Sequence, residues 1–427
     1  MTTLSTQPTD RTDALNEMPC PPSPHETGTA SGQTIRPGAN DDGWIVPAPV
    51  KLSDGTTIRL YKDGEAWHAA FDAMRDAKMR ICLEIYIFAS DDTGRAVADF
   101  LCKKARDGLR VYVVYDSFGS LETDREMLRQ MQRAGVNLQQ FHPMLPWECR
   151  YSWRPVNRDH RKLIVIDNEV GGLGGINLAT EYAGSSIIRA LKPKAARMSR
   201  CELWRDNAIS IRGPSVIHLM RSFARTWNYV LHGGRIRRAE LIHNIHQGEF
   251  GLLASVPTLS SPLQPFLCNL LRSARTKILL TMAYFAPDEV LVNELCKAAD
   301  RGVHVQLMLP GRGDVKLLVV AARSFYSRLM SHGVDIYERQ NVVLHAKTLV
   351  IDGHISVVGS TNLDYRSIEY NCELSAIIRS EEFGQQMDDL FQHDIRFARQ
   401  IFPEEWRTRP FCDRVGQWAV SRARYLL

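Results

Sequence analysis

Short apolar runs alternate with amphipathic stretches along most of the chain. Residues 51–60 read as a strand with a turn at Asp54-Gly55. Residues 65–78 place Trp67, Phe71 and Met74 at helical spacing. Residues 81–88 form an apolar run short enough for a buried strand. A helix is predicted over 93–107, with Gly108 as its C-cap, and a second buried strand over 109–115. Another helix over 126–134 stops at Gly135, and a third strand follows over 136–141. Strands alternating with helices predict a mostly parallel sheet covered by helices on its faces.

The second half repeats this pattern. Residues 274–280 parallel 77–83, and 295–303 parallel 101–109. A repeat of this length predicts two similar α/β domains, over residues 44–235 and 248–400. The hinge is expected near His232-Gly233-Gly234-Arg235-Ile236-Arg237-Arg238, and a basic, aromatic segment closes the chain over 401–427. Residues 1–43 are rich in Thr, Ser, Pro and Gly and contain no aromatic residue, so they read as a disordered tail.

Composition narrows the class. The 427 residues are 44% hydrophobic and 24% charged, as in ordinary globular proteins. A net charge of +5 permits phosphate-rich partners without requiring them. The nine scattered cysteines never form C-x-x-C, which argues against a disulfide framework or clustered zinc site and fits a reducing compartment. No apolar run is long enough to span a bilayer, and no secretory signal is expected.

The candidate chemistry lies in two matching stretches. His160-Arg161-Lys162 leads to Asp167, and His345-Ala346-Lys347 leads to Asp352; both read H-x-K-x4-D. In both, an Asn after small residues follows the His by 17 positions, as Asn177 and Asn362. On a strand, residues i and i+2 face the same way, so imidazole and ammonium converge. Lysine suits phosphate oxygens, and imidazole serves as nucleophile or acid/base near neutral pH. Two facing copies would surround one phosphate with His160, Lys162, Asn177, His345, Lys347 and Asn362. Such a site transfers phosphoryl groups without a metal or other cofactor. Asp167 and Asp352 have the opposite parity and are expected to brace the turn after each strand. Asp206 and Glu373 are the candidates to orient the histidine rings. Ser360, beside Asn362, joins the candidate phosphate-binding set.

The two motifs resemble those of the phospholipase D superfamily, and the resemblance covers nearly all of residues 45–427. It implies an α/β fold of two similar phospholipase D-like domains. Each would be a mostly parallel mixed sheet flanked by helices, with one shared active site at the interface. It implies a covalent phosphohistidine formed on one histidine and resolved by an alcohol or water. By that analogy His160 is the nucleophile and His345 the general acid/base; the residues themselves fit either order. The motif aspartates, Asp167 and Asp352, join the catalytic set by the same resemblance.

The flanks resemble bacterial cardiolipin synthases. The matches include Tyr86-Ile87-Phe88, Tyr115-Asp116, Phe141-His142-Pro143, Glu181-Tyr182, Trp204-Arg205-Asp206, Tyr284-Phe285 and Asn362-Leu363-Asp364. The implied reaction transfers a phosphatidyl group to phosphatidylglycerol, with phosphatidylglycerol or phosphatidylethanolamine as donor. Many members begin with two transmembrane helices; the polar tail here resembles shorter members. That implies peripheral contact on the cytoplasmic side of the cell membrane, with no nucleic acid and no obligate protein partner. Two stretches are candidates for lipid contact. One is 141–147 with Trp153, beside Arg150, Arg154 and Arg158. The other is 406–427, with Trp406, Phe411, Trp418 and Tyr425 among five arginines. The alternatives are a hydrolytic phospholipase D, a nuclease or phosphodiesterase of the superfamily, and a lipid-binding protein without activity.

Overall fold

The structure is a computed structural model. It describes residues 42–145, 147, 156–182, 204–233, 248–256 and 262–423. Most of the expected tail, the hinge from Gly234 onward, and Arg150, Trp153, Arg154, Arg424 and Tyr425 lie outside these residues.

The first half begins with β1 (Val50–Lys51), β2 (Thr57–Lys62), α1 (Glu65–Arg75), β3 (Arg80–Ile85), α2 (Asp92–Arg106), β4 (Arg110–Asp116), α3 (Arg125–Arg133) and β5 (Asn137–Phe141). It continues with β6 (Arg158–Asp159), β7 (Leu163–Ile166), β8 (Val170–Gly174), β9 (Trp204–Arg205), β10 (Asn207–Arg212) and α4 (Val216–Leu231). Its sheet runs β1-β2-β10-β8-β7-β3-β4-β5. β3 is buried at every position because both faces of the sheet are covered, which explains an apolar run interrupted only at Glu84 from Ile81 to Ile85. Trp67, Phe71 and Met74 are the buried face of α1, as their spacing predicts. Gly108 and Gly135 take positive φ where α2 and α3 stop, again as predicted.

The second half holds β11 (Phe250–Ser255), α5 (Leu263–Ser273), β12 (Lys277–Met282), α6 (Glu289–Asp300), β13 (His304–Pro310), α7 (Lys316–Ser324), α8 (Tyr326–Ser331) and β14 (Asp335–Arg339). Then come β15 (Val343–Leu344), β16 (Lys347–Ile351), β17 (Ile355–Gly359), α9 (Tyr365–Glu369), β18 (Asn371–Arg379), α10 (Glu381–Ile395) and β19 (Ala398–Ile401). Two helices end it, α11 (Pro403–Arg407) and α12 (Phe411–Ala423). The sheet order is β11-β18-β17-β16-β12-β13-β14-β19.

Both halves are mixed α/β sheets flanked by helices, as expected. The parallel share is smaller than the alternation predicts. Only β3-β4-β5 and β12-β13-β14 pair in parallel along these sheet paths, while the motif strands β7 and β16 enter antiparallel. The reason is the hairpin after each motif: β7-β8 and β16-β17 turn back directly, and tight hairpins join antiparallel strands.

The halves are fused by core and by backbone. One apolar cluster contains Leu163, Val165 and Phe223 together with Leu252, Val350 and Leu374. β6 pairs in parallel with β18, and β9 with β15 in a separate two-stranded ladder, so backbone pairing crosses between the halves twice. No helix among the described residues is long and apolar enough to cross a membrane.

Candidate active site

The interdomain strand pairs set the two histidines. His160 follows β6, and its backbone N–H donates to Cys372 O at 2.9 Å. His345 follows β15, and its N–H donates to Arg205 O at 2.8 Å. The residues accepting these bonds immediately precede Glu373 and Asp206 in the sequence. The same pairings therefore deliver a carboxylate from the opposite half to each ring.

His160 Nδ1 lies 3.1 Å from each carboxylate oxygen of Glu373. His345 Nδ1 lies 2.7 Å from Oδ2 of Asp206 and 2.8 Å from Nζ of Lys347. At His160 the carboxylate can only accept, so Nδ1 carries the proton and Nε2 keeps its lone pair for attack or proton transfer. At His345 the shorter contact to Asp206 gives Nδ1 the same proton, and Lys347 makes its hydrogen bond to His345 O instead. All four side chains are buried. Aromatic rings wall the histidines: Tyr86 packs edge-on to His160 at 4.9 Å, and Tyr182 and Trp204 lie 5.2 and 5.1 Å from His345.

Lys162 donates to His160 O at 2.7 Å, and Lys347 donates to His345 O. Burial pushes Lys162 down to about 7, against the pull of Glu373, and Lys347 down to about 8, against that of Asp206. Burial also lowers both imidazoles, His345 the more, with Lys347 and Lys162 adding to the effect there. The two carboxyls diverge. Burial pushes Asp206 up to about 6 in spite of Lys347. At Glu373 burial acts in the same direction, but His160, Lys162 and the Ser360 hydroxyl together outweigh it and hold the group below its ordinary range.

Part of that divergence comes from one pair of equivalent positions. Gly175 and Ser360 each stand 15 residues after their histidine. The Ser360 hydroxyl donates to Glu373. At Gly175 a Cβ would sit 2.2 Å from Asp206 Oδ1, so no side chain fits. Ser360 is thus a partner of the orienting carboxylate, which corrects its expected place among the phosphate ligands.

The motif aspartates do not reach the rings. Asp167 accepts from the backbone N–H groups of Lys78, Met79 and Arg80, at 2.6, 2.8 and 2.7 Å. Asp352 does the same for Arg275, Thr276 and Lys277. They brace the turn at the far end of each motif strand, as their parity predicts, and their place in the catalytic set is corrected. Asn177 and Asn362 are buried. Asn177 Oδ1 accepts from Ile87 N at 3.2 Å, which leaves its amide nitrogen as a donor.

Three buried arginines make contacts that the sequence pattern does not signal. Arg205 donates to both oxygens of Asp394 and, at 2.6 Å, to Asp206 O. Arg161 reaches Thr226 at 2.8 Å and Ser255 O at 3.0 Å, across the two halves. Arg158, expected near lipid, is buried against Ser117 at 2.8 Å and Asp116 at 3.6 Å. Isolated arginines in a polar stretch carry no signal that distinguishes a buried brace from a solvated cation.

Comparison with known proteins finds relatives by sequence and by fold. The sequence profile described as "Cardiolipin synthase, PLD-like domain" matches residues 71–186 and 267–395, one segment in each half. The chain is 32% identical over 382 residues to the cardiolipin synthase of Geobacillus kaustophilus, covering 88% of this chain and 72% of that one. It is 32% identical to that of Listeria monocytogenes, covering 87% and 75%. The crystal structure of phosphatidylserine synthase from Haemophilus influenzae shares the fold, with a TM-score of 0.67 over 89% of this chain and 97% of that one at 13% identity. With a profile match in both halves and relatives aligned over most of their length, the chain belongs to the cardiolipin synthase family of phospholipase D-like enzymes.

Proposed function

We propose that the enzyme makes cardiolipin by passing a phosphatidyl group through His160 to the glycerol headgroup of phosphatidylglycerol. The observation that carries this reading is the pair of reciprocal dyads, His160–Glu373 and His345–Asp206, with a lysine beside each.

Nε2 of His160 attacks phosphorus while the bond to the leaving headgroup oxygen breaks. His345 gives that oxygen its proton, and glycerol departs when the donor is phosphatidylglycerol. The hydroxyl of a second phosphatidylglycerol then loses its proton to His345 and its oxygen attacks phosphorus; the P–O bond forms as the P–N bond breaks, which frees His160. The positive charge on the phosphorylated ring favours attack by the histidine with the more acidic carboxyl partner, and Glu373 is held below its ordinary range while burial raises Asp206. Lys162, Lys347, Asn177 and Asn362 hold the non-bridging oxygens. A bound phosphodiester anion offsets the lysines and lets His345 take up a proton. Residues 44–235 and 248–400 each supply one dyad member to either histidine, so one chain suffices for a site.

The test is lipid mass spectrometry after incubation with phosphatidylglycerol vesicles, with and without phosphatidylethanolamine, in the presence of chelator. Cardiolipin that is lost in His160→Ala is the expected result. Phosphatidic acid alone would identify a hydrolase, and no lipid turnover would overturn the reading.

A further inference from the structure

The last helix faces the wrong way for a helix that merely packs. α12 lies on α7, with Gln417 buried and Val420 against the small cluster of Ala286, Leu318 and Ala321. A surface helix ordinarily turns its apolar stripe toward the core. Here Phe411, Val415 and Trp418, at positions i, i+4 and i+7, point outward and are 75%, 47% and 62% exposed. Arg414 and Arg422 are exposed among them, and the Arg422 guanidinium sits 5.6 Å above the Trp418 ring.

The inner face of this helix connects to the active site through a shared cluster. Tyr284 packs on the same small cluster as Val420, and its ring lies 6.2 Å from His345. Its hydroxyl donates to Asp314, immediately before the exposed Val315 and Leu317. The corresponding loop of the first half, after β4, carries Phe118 and Leu121, 50% and 66% exposed. Gly119 between them lies against Tyr86, the ring that packs on His160. Scattered exposed apolar residues are ordinary, but these flank both histidines.

We propose that these two loops and the outer face of α12 form the surface on which the enzyme docks to a bilayer with anionic headgroups. The inference rests on the lipid-substrate reading above. Aromatic rings and arginines with apolar stems are the side chains that settle at the headgroup level, and the cations match an anionic surface. α12 lies in the interface, Val315 and Leu317 on one lip and Phe118 and Leu121 on the other. Substrate headgroups then enter between the lips without leaving the membrane.

The experiment compares the full chain with the triple variant Phe411→Ser, Val415→Ser, Trp418→Ser. Binding to vesicles of equal phosphatidylglycerol and phosphatidylcholine is expected to fall at least tenfold, and vesicle turnover with it. Turnover of dihexanoyl phosphatidylglycerol, kept below its critical micelle concentration, is expected to be unchanged. A second measurement keeps the fold intact: Trp418 emission, taken as the difference from Trp418→Phe, should shift to the blue on vesicles and be quenched by brominated acyl chains. Vesicle binding and turnover equal to the parent, or unquenched Trp418 in vesicle-bound protein, would overturn the proposal. So would a change in self-association alone, which would assign the stripe to a second copy of the chain. If the parent turns over neither lipid form while binding follows the substitutions, the catalytic reading fails and the docking surface stands.

Discussion

Asp206 holds His345 across the interface, with Oδ2 at 2.7 Å from Nδ1 although the two stand 139 positions apart in the chain. Glu373 holds His160 in the reciprocal sense, 213 residues away. Each ring is therefore aimed by the sheet that does not carry it, and the aim depends on how the halves dock.

Asp206→Asn and Glu373→Gln keep the shape of these partners and remove the charge that fixes the tautomer. kcat is expected to fall on the order of 10²–10⁴-fold, with KM changed far less. Steady-state kinetics on phosphatidylglycerol check this, and an effect confined to KM would refute an orienting role.

The two histidines can be told apart by the leaving group. Nitrophenolate departs without a proton, so His345→Ala is expected to give a burst from a nitrophenyl phosphodiester. His160→Ala is expected to give none. Stopped-flow absorbance reads the burst, and the opposite result would exchange the roles of nucleophile and acid.

Gly175→Ala would drive a Cβ to within 2.2 Å of Asp206 Oδ1. The variant is expected to lose about 1–3 kcal/mol of stability in denaturant titration. At the equivalent position, Ser360→Ala removes a buried donor from Glu373, and a comparable loss of about 1–3 kcal/mol is expected. A neutral result at both positions would mean that the carboxylates are not held as described.

The pH profile follows from buried groups. Asp206, raised by burial to about 6, is uncharged below that value, and the His345 ring then loses an ionised partner. Lys162 and Lys347, lowered by burial to about 7 and about 8, lose their charge as pH rises through those values. kcat/KM, which reports the free enzyme, is expected to be bell-shaped with limbs in these two ranges. A flat profile between about pH 5 and about 9 would contradict this.

The repeat made the architecture and the twin histidines legible. His160 with Lys162, and His345 with Lys347, needed only the parity of a strand. The turn-bracing role of Asp167 and Asp352 came from the same parity. What could not be read was anything that depends on docking one half against the other. Nothing local marks Arg205 as the partner of Asp394, or Arg161 as a bridge to Ser255, because those contacts join segments far apart in the chain. Arg158 reads as a surface cation until β6 is seen paired with β18, which buries it. Ser360 reads as a phosphate ligand because its neighbour Asn362 suggests one; its hydroxyl instead faces Glu373.

The Gly175 and Ser360 pair has a consequence for the symmetry of the site. Two identical halves would carry the same residue at both positions, and their two histidines would be interchangeable. Joining the halves in one chain permits a hydroxyl beside one carboxylate and bare space beside the other. That hydroxyl adds to the His160 and Lys162 contacts that hold Glu373 below its ordinary range, while burial raises Asp206 to about 6. On the mechanism proposed above, this difference would give a pseudo-symmetric frame a direction, with His160 attacking and His345 shuttling the proton.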